Sequence, residues 1–216
     1  MSAPVTKTPV PQTSSIAPTV RTSAYKDALS SRGRPDVARI GPASFPLPGE
    51  KVNSSQLIAF YLPQFYPIAE NDAAWGKGFT EWAHVAAARP LFPSHYQPHI
   101  PADLGFYDLR LPETRLAQAA LARRYGISAF CYYHYWMGGR RLLERPFNEV
   151  LESGEPDFPF CLCWANDSWT GIWYGKPEAV IVEQTYPGRD DHLRHMDWLA
   201  RAFHDRRDLR LGGKPL

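Results

Sequence analysis

Polar side chains suited to carbohydrate chemistry follow the apolar runs of this sequence. The clearest example is Asn166-Asp167, a polar pair that directly ends the apolar run at residues 158–165. Enzymes that cleave glycosidic bonds place two carboxyl groups around the scissile bond. We therefore take Asp167 and Glu81 as the candidate catalytic residues, although Glu81 could equally brace the loop in which it lies.

Aromatic residues are concentrated beside these polar groups. Sugars pack their C–H faces on aromatic rings, and amide or carboxylate groups bind their hydroxyls. Alternation along a strand predicts that half of the cluster at residues 132–136 points away from any pocket, and His134 could equally be a buried structural histidine. Trp173 and Tyr174 extend the cluster further along the chain. The candidate substrate-binding residues are Tyr61, Gln64, Trp75, Trp82, Tyr133, His134, Trp136, Trp164, Asn166 and Trp169.

The elements that must position these residues alternate between strands and helices. Short apolar runs typical of buried parallel strands occur at residues 57–62, 127–135 and 158–165. Helical patterns follow at 112–125, 142–151 and 190–205. Asp190 or Asp191 could cap the last helix, and residues 214–216 could begin a fourth strand. Between residues 64 and 110 the sequence shows little periodicity. A loop of this length often has a functional role.

This alternation predicts an α/β fold of βαβ units on a parallel sheet. Neither the Gly-x-Gly-x-x-Gly nor the Walker pattern is present, so a doubly wound nucleotide-binding sheet is disfavoured. We predict a partial (β/α) TIM-type barrel with its first three to four βα units, whose site lies at the carboxyl ends of the strands. A downstream domain or a partner is expected to complete the barrel.

The composition divides the chain near residue 55. Residues 1–55 are rich in Pro, Ser, Thr and Ala, whereas all seven tryptophans follow this point. A segment with so few apolar side chains cannot offset the entropy lost on ordering. We therefore predict a disordered tail at 1–55 and a barrel portion at 56–216.

The remaining composition excludes several classes of partner. A formal net charge of +2 and the absence of a basic motif argue against nucleic-acid binding. No apolar stretch has the length of a signal peptide or a membrane span. We therefore predict a cytoplasmic protein that has no integral membrane segment. Cys131, Cys161 and Cys163 are expected to be core thiols in a reducing compartment. No acidic or histidine pair has ligand spacing, and we expect neither a metal nor another cofactor.

Four linked motifs follow one another along the chain. They are Tyr61-Leu62-Pro63-Gln64-Phe65-Tyr66-Pro67-Ile68 with Trp75-Gly76-Lys77-Gly78-Phe79-Thr80-Glu81-Trp82, His95-Tyr96-Gln97-Pro98-His99, Asp103-Leu104-Gly105-Phe106-Tyr107-Asp108, and Phe160-Cys161-Leu162-Cys163-Trp164-Ala165-Asn166. Together they resemble the WbsX-type glycosyltransferase family, which is related to glycoside hydrolase family 99. The resemblance covers residues 57–216 and implies a (β/α) barrel that builds surface polysaccharide such as lipopolysaccharide O-antigen or capsule.

The sequence departs from the family pattern in two ways. The family continues Trp-Ala-Asn with Glu and Asn, whereas Asp167 and Ser168 stand here, and its arginine-bearing stretch is replaced by Thr170-Gly171-Ile172. Family members also continue beyond the Gly-Lys-Pro-Leu segment, and the hydrolase relatives have their principal catalytic carboxylates on later strands. The resemblance therefore implies a truncated member of the family.

Three functions remain open at this point. The chain could supply the acceptor- or donor-binding half of a glycosyltransferase, part of an endo-acting glycoside hydrolase, or a non-catalytic glycan-binding fragment. All three have a carbohydrate, either a glycan or an activated sugar, as the ligand.

Overall fold

A computed structural model describes residues 55–172 and 175–216 of the chain. The predicted tail at 1–55, except for its last residue, and Trp173 and Tyr174 lie outside the described residues. In chain order the elements are β1 (Ile58–Tyr61), α1 (Ala69–Trp75), α2 (Glu81–Ala87), α3 (Pro112–Arg124), β2 (Ala129–Met137), β3 (Arg140–Leu142), α4 (Arg145–Ser153), β4 (Phe160–Trp164), β5 (Trp169–Gly171), β6 (Lys176–Val182), α5 (Arg189–Phe203), β7 (Arg210–Leu211) and β8 (Lys214–Pro215).

Strands β1, β2 and β4 form a parallel sheet with β2 in the centre. Phe60 lies opposite Cys131, and Cys131 lies opposite Cys161, so the three strands are in register. An isolated parallel bridge joins Phe160 to Asp208 on the far side of β4. Neighbouring strands therefore follow one another along the chain, as they do in successive βα units.

The three longer helices cover one face of this sheet. From α3, Gln118 accepts a hydrogen bond of 2.6 Å from the Tyr61 hydroxyl, and from α4 Phe147 packs on Tyr132 with ring centroids 5.0 Å apart. The helix α5 contacts the same face through His195. Doubly wound sheets have helices on both faces, whereas the described helices of this length lie on one.

The long segment after β1 contains two helices that the sequence pattern did not predict. Both α1 and α2 have seven residues, too few to show a helical period. Asp72 fixes the turn between them, since its Oδ1 accepts hydrogen bonds from the backbone N–H groups of Gly78 at 2.9 Å and Phe79 at 3.1 Å. Asp72 therefore stabilises this turn.

The second predicted helix begins later than the sequence suggested. Leu142 pairs with Tyr135 in an antiparallel hairpin instead of starting a helix. Gly138 and Gly139, with φ of 55° and 89°, form its two-residue turn, a conformation that favours glycine. The apolar residues from Leu142 onward have the pattern of a helix, but α4 begins only at Arg145.

Two further predictions are wrong in detail. The predicted fourth strand at residues 214–216 instead turns back, with Lys214–Pro215 pairing antiparallel to β7, and the parallel pairing to β4 occurs earlier, at Asp208. Neither Asp190 nor Asp191 caps α5, whose N-cap Gly188 has no side-chain hydrogen bond. Asp191 is buried and bound to other side chains instead.

Candidate functional site

A cleft of about 770 Å³ opens where the carboxyl ends of β1, β2 and β4 meet. Its residues come from these strand ends, from α1 and α2, and from the β5–β6 hairpin. Because the strands are parallel, segments far apart in sequence converge at this edge. The lining is Leu62, Gln64, Asn71, Trp75, Phe79, Glu81, Tyr133, Tyr135, Ala165, Asp167, Ser168, Trp169, Thr170, Ile172 and Ile181.

Aromatic rings form much of the cleft wall. Trp169 meets Tyr135 edge to face with centroids 5.0 Å apart, and Trp75 packs on Phe79 at 6.0 Å. Tyr133 stacks on Phe60 at 5.4 Å, on the sheet face opposite the helices. Rings held by one another in this way offer rigid apolar surfaces to a ligand.

Glu81 and Tyr135 are the ionisable groups that the cleft perturbs. Burial raises the pKa of the half-buried Glu81 carboxyl, while His84 on the same helix acts in the opposite direction. Burial also raises the pKa of Tyr135 to about 12, and a hydrogen bond with Gln64 opposes this shift. At neutral pH the Tyr135 hydroxyl is therefore protonated and able to donate.

Asn71 contributes a buried amide to the same cleft. The residue is 3% exposed, and its Nδ2 has no hydrogen-bond partner in the structure. A buried donor without an acceptor costs about 1–3 kcal/mol. A ligand oxygen that accepts from Nδ2 would remove this cost.

Asp167 lies on the exposed loop that follows β4. The next residue, Ser168, accepts a hydrogen bond of 2.9 Å from the backbone N–H of Gln184, and Trp169 pairs with Val182. The β5–β6 hairpin is thus tied back beside the loop. This arrangement holds the exposed Asp167 in the lining of the cleft.

His134 and Trp136 lie on the helix-covered face of β2. The Nε2 atoms of His134 and His195 are 2.8 Å apart, and the Trp136 indole donates to Asp191 at 2.9 Å. Burial lowers the pKa of His134 to about 3, and Arg141 and His195 act in the same direction. The structure places both predicted residues in the packing between β2 and α5.

Three other predicted residues also lie outside the cleft lining. Tyr61 is buried against α3. Trp82 packs between Phe65 and Tyr107 and donates to the Tyr107 carbonyl at 2.8 Å. Trp164 packs edge to face on a histidine of α5.

The remaining predicted residues lie at or near the cleft. Asn166 is exposed beside it and accepts a hydrogen bond from the Tyr186 hydroxyl through its backbone carbonyl. The cleft lining brings together six of the predicted residues, which are Gln64, Trp75, Glu81, Tyr133, Asp167 and Trp169.

Several lining residues were not predicted from the sequence. Asn71 and Phe79 stand in the strand-end region, but neither was assigned a role. Ile172 and Ile181 come from the β5–β6 hairpin and have no chemical signal in the sequence. Within the described residues, no three His, Cys, Asp or Glu side chains are grouped so as to hold a metal ion.

The three cysteines lie on the sheet as free thiols. Burial raises the pKa of Cys131 to about 12, and the neighbouring Cys161 and Cys163 act in the same direction. A thiol with so high a pKa is protonated at neutral pH and is a poor nucleophile. No helix in the described part of the chain has the length and apolar character needed to cross a membrane.

An aromatic cleft with carboxyl and amide groups at the strand ends of an α/β sheet is typical of carbohydrate-active proteins. The chain belongs to the family described as Glycosyltransferase WbsX, which it matches over residues 57–216. The match begins just before β1 and contains every residue of the cleft lining.

Two curated relatives are proteins of Xanthomonas campestris pv. campestris, from strains B100 and ATCC 33913. Each carries the name WxcX and the description "uncharacterized", and each is 46% identical to this chain over 194 residues. The aligned region is 88% of this chain and 28% of each relative. The chain thus spans little more than a quarter of the relatives that it matches.

Two solved structures of the GH99 endo-alpha-mannosidase from Bacteroides thetaiotaomicron are also similar. One, in complex with BIS-TRIS-propane, is 15% identical with a TM-score of 0.39 and aligns with 74% of this chain and 40% of its own. The other is 14% identical with a TM-score of 0.40, and the alignment covers 74% of this chain and 43% of the mannosidase chain. At this level of similarity the two structures establish nothing about the site.

Proposed function

We propose that the chain provides the sugar-binding wall of a glycosyltransferase that builds cell-surface polysaccharide, such as lipopolysaccharide O-antigen or capsule, in the cytoplasm. The observation that supports this most directly is the strand-end cleft, where Trp75 and Trp169 accompany Glu81 and Asp167. Membership of the WbsX family supports the glycosyl-transfer reaction.

Each part of the cleft has a role in this proposal. The rings of Trp75, Tyr133 and Trp169 stack on sugar C–H faces, while Gln64 and Asn71 bind hydroxyls. Glu81 accepts the proton of the attacking hydroxyl as its oxygen bonds to the anomeric carbon, and the leaving group departs with the electron pair of the broken bond. A raised pKa makes Glu81 a stronger base than an exposed carboxylate.

We also propose that the sheet is part of a (β/α) barrel. Its parallel strands are in sequential order, and the long helices lie on one face. The opposite face carries Phe60, which is 67% exposed, beside Tyr133. In a barrel this face would point inward, toward strands contributed by another segment or partner.

Glycan binding tests the proposal first. On an array of oligosaccharides from bacterial surface polysaccharides, we expect the chain to retain at least one glycan and Trp169→Ala to weaken that binding about tenfold, because a stacking surface is lost. Phe92→Ala is the matched control, since Phe92 is exposed but lies outside the cleft lining. Failure to retain any glycan, or equal losses in both variants, would refute the sugar-binding cleft.

Product analysis then separates transfer from the alternatives. Mass spectrometry of the retained glycan, incubated with activated sugars, should show a gain of one sugar residue, reduced roughly 100-fold in Glu81→Gln. Shortened products would indicate an endo-acting glycoside hydrolase. Binding without any change in mass would indicate a non-catalytic glycan-binding protein.

A further inference from the structure

The charge of the cleft narrows the kind of sugar that it accepts, provided that it binds carbohydrate as proposed above. The described lining contains two carboxyl groups, Glu81 and Asp167, and no lysine, arginine or histidine. The other polar members are amides and hydroxyls. The lining is therefore acidic.

Two cationic side chains that lie beside β2 are engaged elsewhere. Arg140, on the β2–β3 hairpin, forms an ion pair with Glu70. The Arg141 guanidinium lies over the ring of Trp198 at 3.7 Å and donates to the Asn148 side chain at 2.8 Å, beside α4 and α5. Neither arginine belongs to the cleft lining.

Activated sugars differ from neutral glycans because they contain negatively charged phosphate groups. Their phosphates are bound in proteins by arginine or lysine, by a metal ion or by a helix N-terminus. Both helices at the cleft already have acidic residues in their first turns, Glu70 and Asp72 in α1 and Glu81 in α2. Two carboxylates in a partly enclosed cleft repel a phosphate, because like charges interact more strongly where water is excluded.

An uncharged glycan fits the same lining. Its hydroxyls can donate to Glu81 and Asp167 and accept from the Tyr135 hydroxyl, while its ring faces pack on Trp75 and Trp169. We propose that the cleft takes the uncharged acceptor glycan, and that the phosphate of the activated donor is held by residues outside this lining. Acceptor and donor then occupy separate sites.

Ligand-detected NMR on the whole chain tests this assignment. The probes are methyl glycosides of glucose, galactose, mannose and rhamnose, together with UDP, GDP and inorganic pyrophosphate. We expect saturation transfer to at least one glycoside, about tenfold weaker in Trp169→Ala and unchanged in Phe92→Ala. The affinity for the glycoside should change less than about twofold between low and high salt, because screening does not act on an uncharged ligand.

The phosphate probes show whether a phosphate competes with the glycoside for the cleft. The proposal is supported if they give no signal, or if they bind without displacing the glycoside and without responding to Trp169→Ala. It is overturned if UDP, GDP or pyrophosphate displaces the glycoside, and loss of that binding in Lys77→Ala would identify the exposed Lys77 beside the cleft as the phosphate ligand. If phosphates bind and no glycoside does, the acceptor assignment fails while the carbohydrate function stands. Absence of binding by every probe contradicts both.

Discussion

Acid should weaken the packing between β2 and α5, because two buried histidines meet there. The Nε2 atoms of His134 and His195 are 2.8 Å apart, so a neutral pair shares one N–H between them. The His134 ring stacks on Trp198, and Arg141 lies close to the same tryptophan. Burial lowers the pKa of His134 to about 3 and also lowers that of His195, which Asp191 opposes.

The direction of the effect follows from the two states of His134. The ordinary histidine pKa is 6.5, so below that pH the unfolded chain binds a proton that the folded chain excludes. The stabilising contribution is complete above pH 6.5 and is lost as the pH falls toward about 3. The free energy of unfolding should fall by about 1.4 kcal/mol per pH unit. From pH 6.5 to about 4.5, His134 alone accounts for about 2–3 kcal/mol.

Urea unfolding followed by tryptophan fluorescence at stepped pH measures this slope. Carboxylates such as Asp108 and Asp205 also lose their ion pairs in acid, so the comparison must be with a variant. His134→Gln should have a slope shallower by about 1.4 kcal/mol per pH unit. His99→Gln, a change at an exposed position, should keep the original slope. Equal slopes in His134→Gln and the unmodified chain would refute the buried neutral pair.

Two further predictions concern side chains that bind the backbone. Asp72→Ala removes the acceptor for the N–H groups of Gly78 and Phe79. It should lower the free energy of unfolding in urea by about 1–3 kcal/mol and weaken glycan binding on the array. An unchanged stability would contradict the role of this turn. The buried Arg207 binds two backbone carbonyls and the Asp205 carboxylate, so Arg207→Ala should lower the free energy of unfolding by about 3–5 kcal/mol. The control Arg206→Ala, at an exposed ion pair, should lower it by no more than about 1 kcal/mol. Similar losses in the two arginine variants would count against the buried network.

The strands and the edge of the sheet at which the cleft opens could be predicted from the sequence. Parallel strands buried on both faces are continuous apolar runs, which made β1, β2 and β4 recognisable. Parallel strands also bring their carboxyl ends to one edge, so polar residues such as Asp167 and Gln64 were expected to lie close together. Both line the cleft.

The choice of sheet face could not be predicted in the same way. Alternation shows that Tyr133 and Tyr135 share one face of β2 and that His134 and Trp136 share the other. Which face the helices cover depends on contacts such as that of Trp136 with Asp191, 55 residues away. A local pattern contains no information on such a contact.

Short elements were the other source of error. The helices α1 and α2 have seven residues each, and no side-chain cap marks their beginnings. The turn that connects them depends on Asp72 and on Gly76 and Gly78, which have φ of 105° and 80°. The cleft residues Ile172 and Ile181 were missed because an apolar residue in a hairpin gives no sign of a binding role.

Indole resonances offer the most direct test that the cleft binds carbohydrate. A neutral oligosaccharide retained on the glycan array would be titrated into the ¹⁵N-labelled chain while the tryptophan side-chain N–H signals are recorded. The indole signals of Trp75 and Trp169 should shift, whereas that of Trp136, bound to Asp191 on the opposite face of the sheet, should not. Unmoved signals from Trp75 and Trp169, or a shift confined to Trp136, would contradict a carbohydrate site in this cleft.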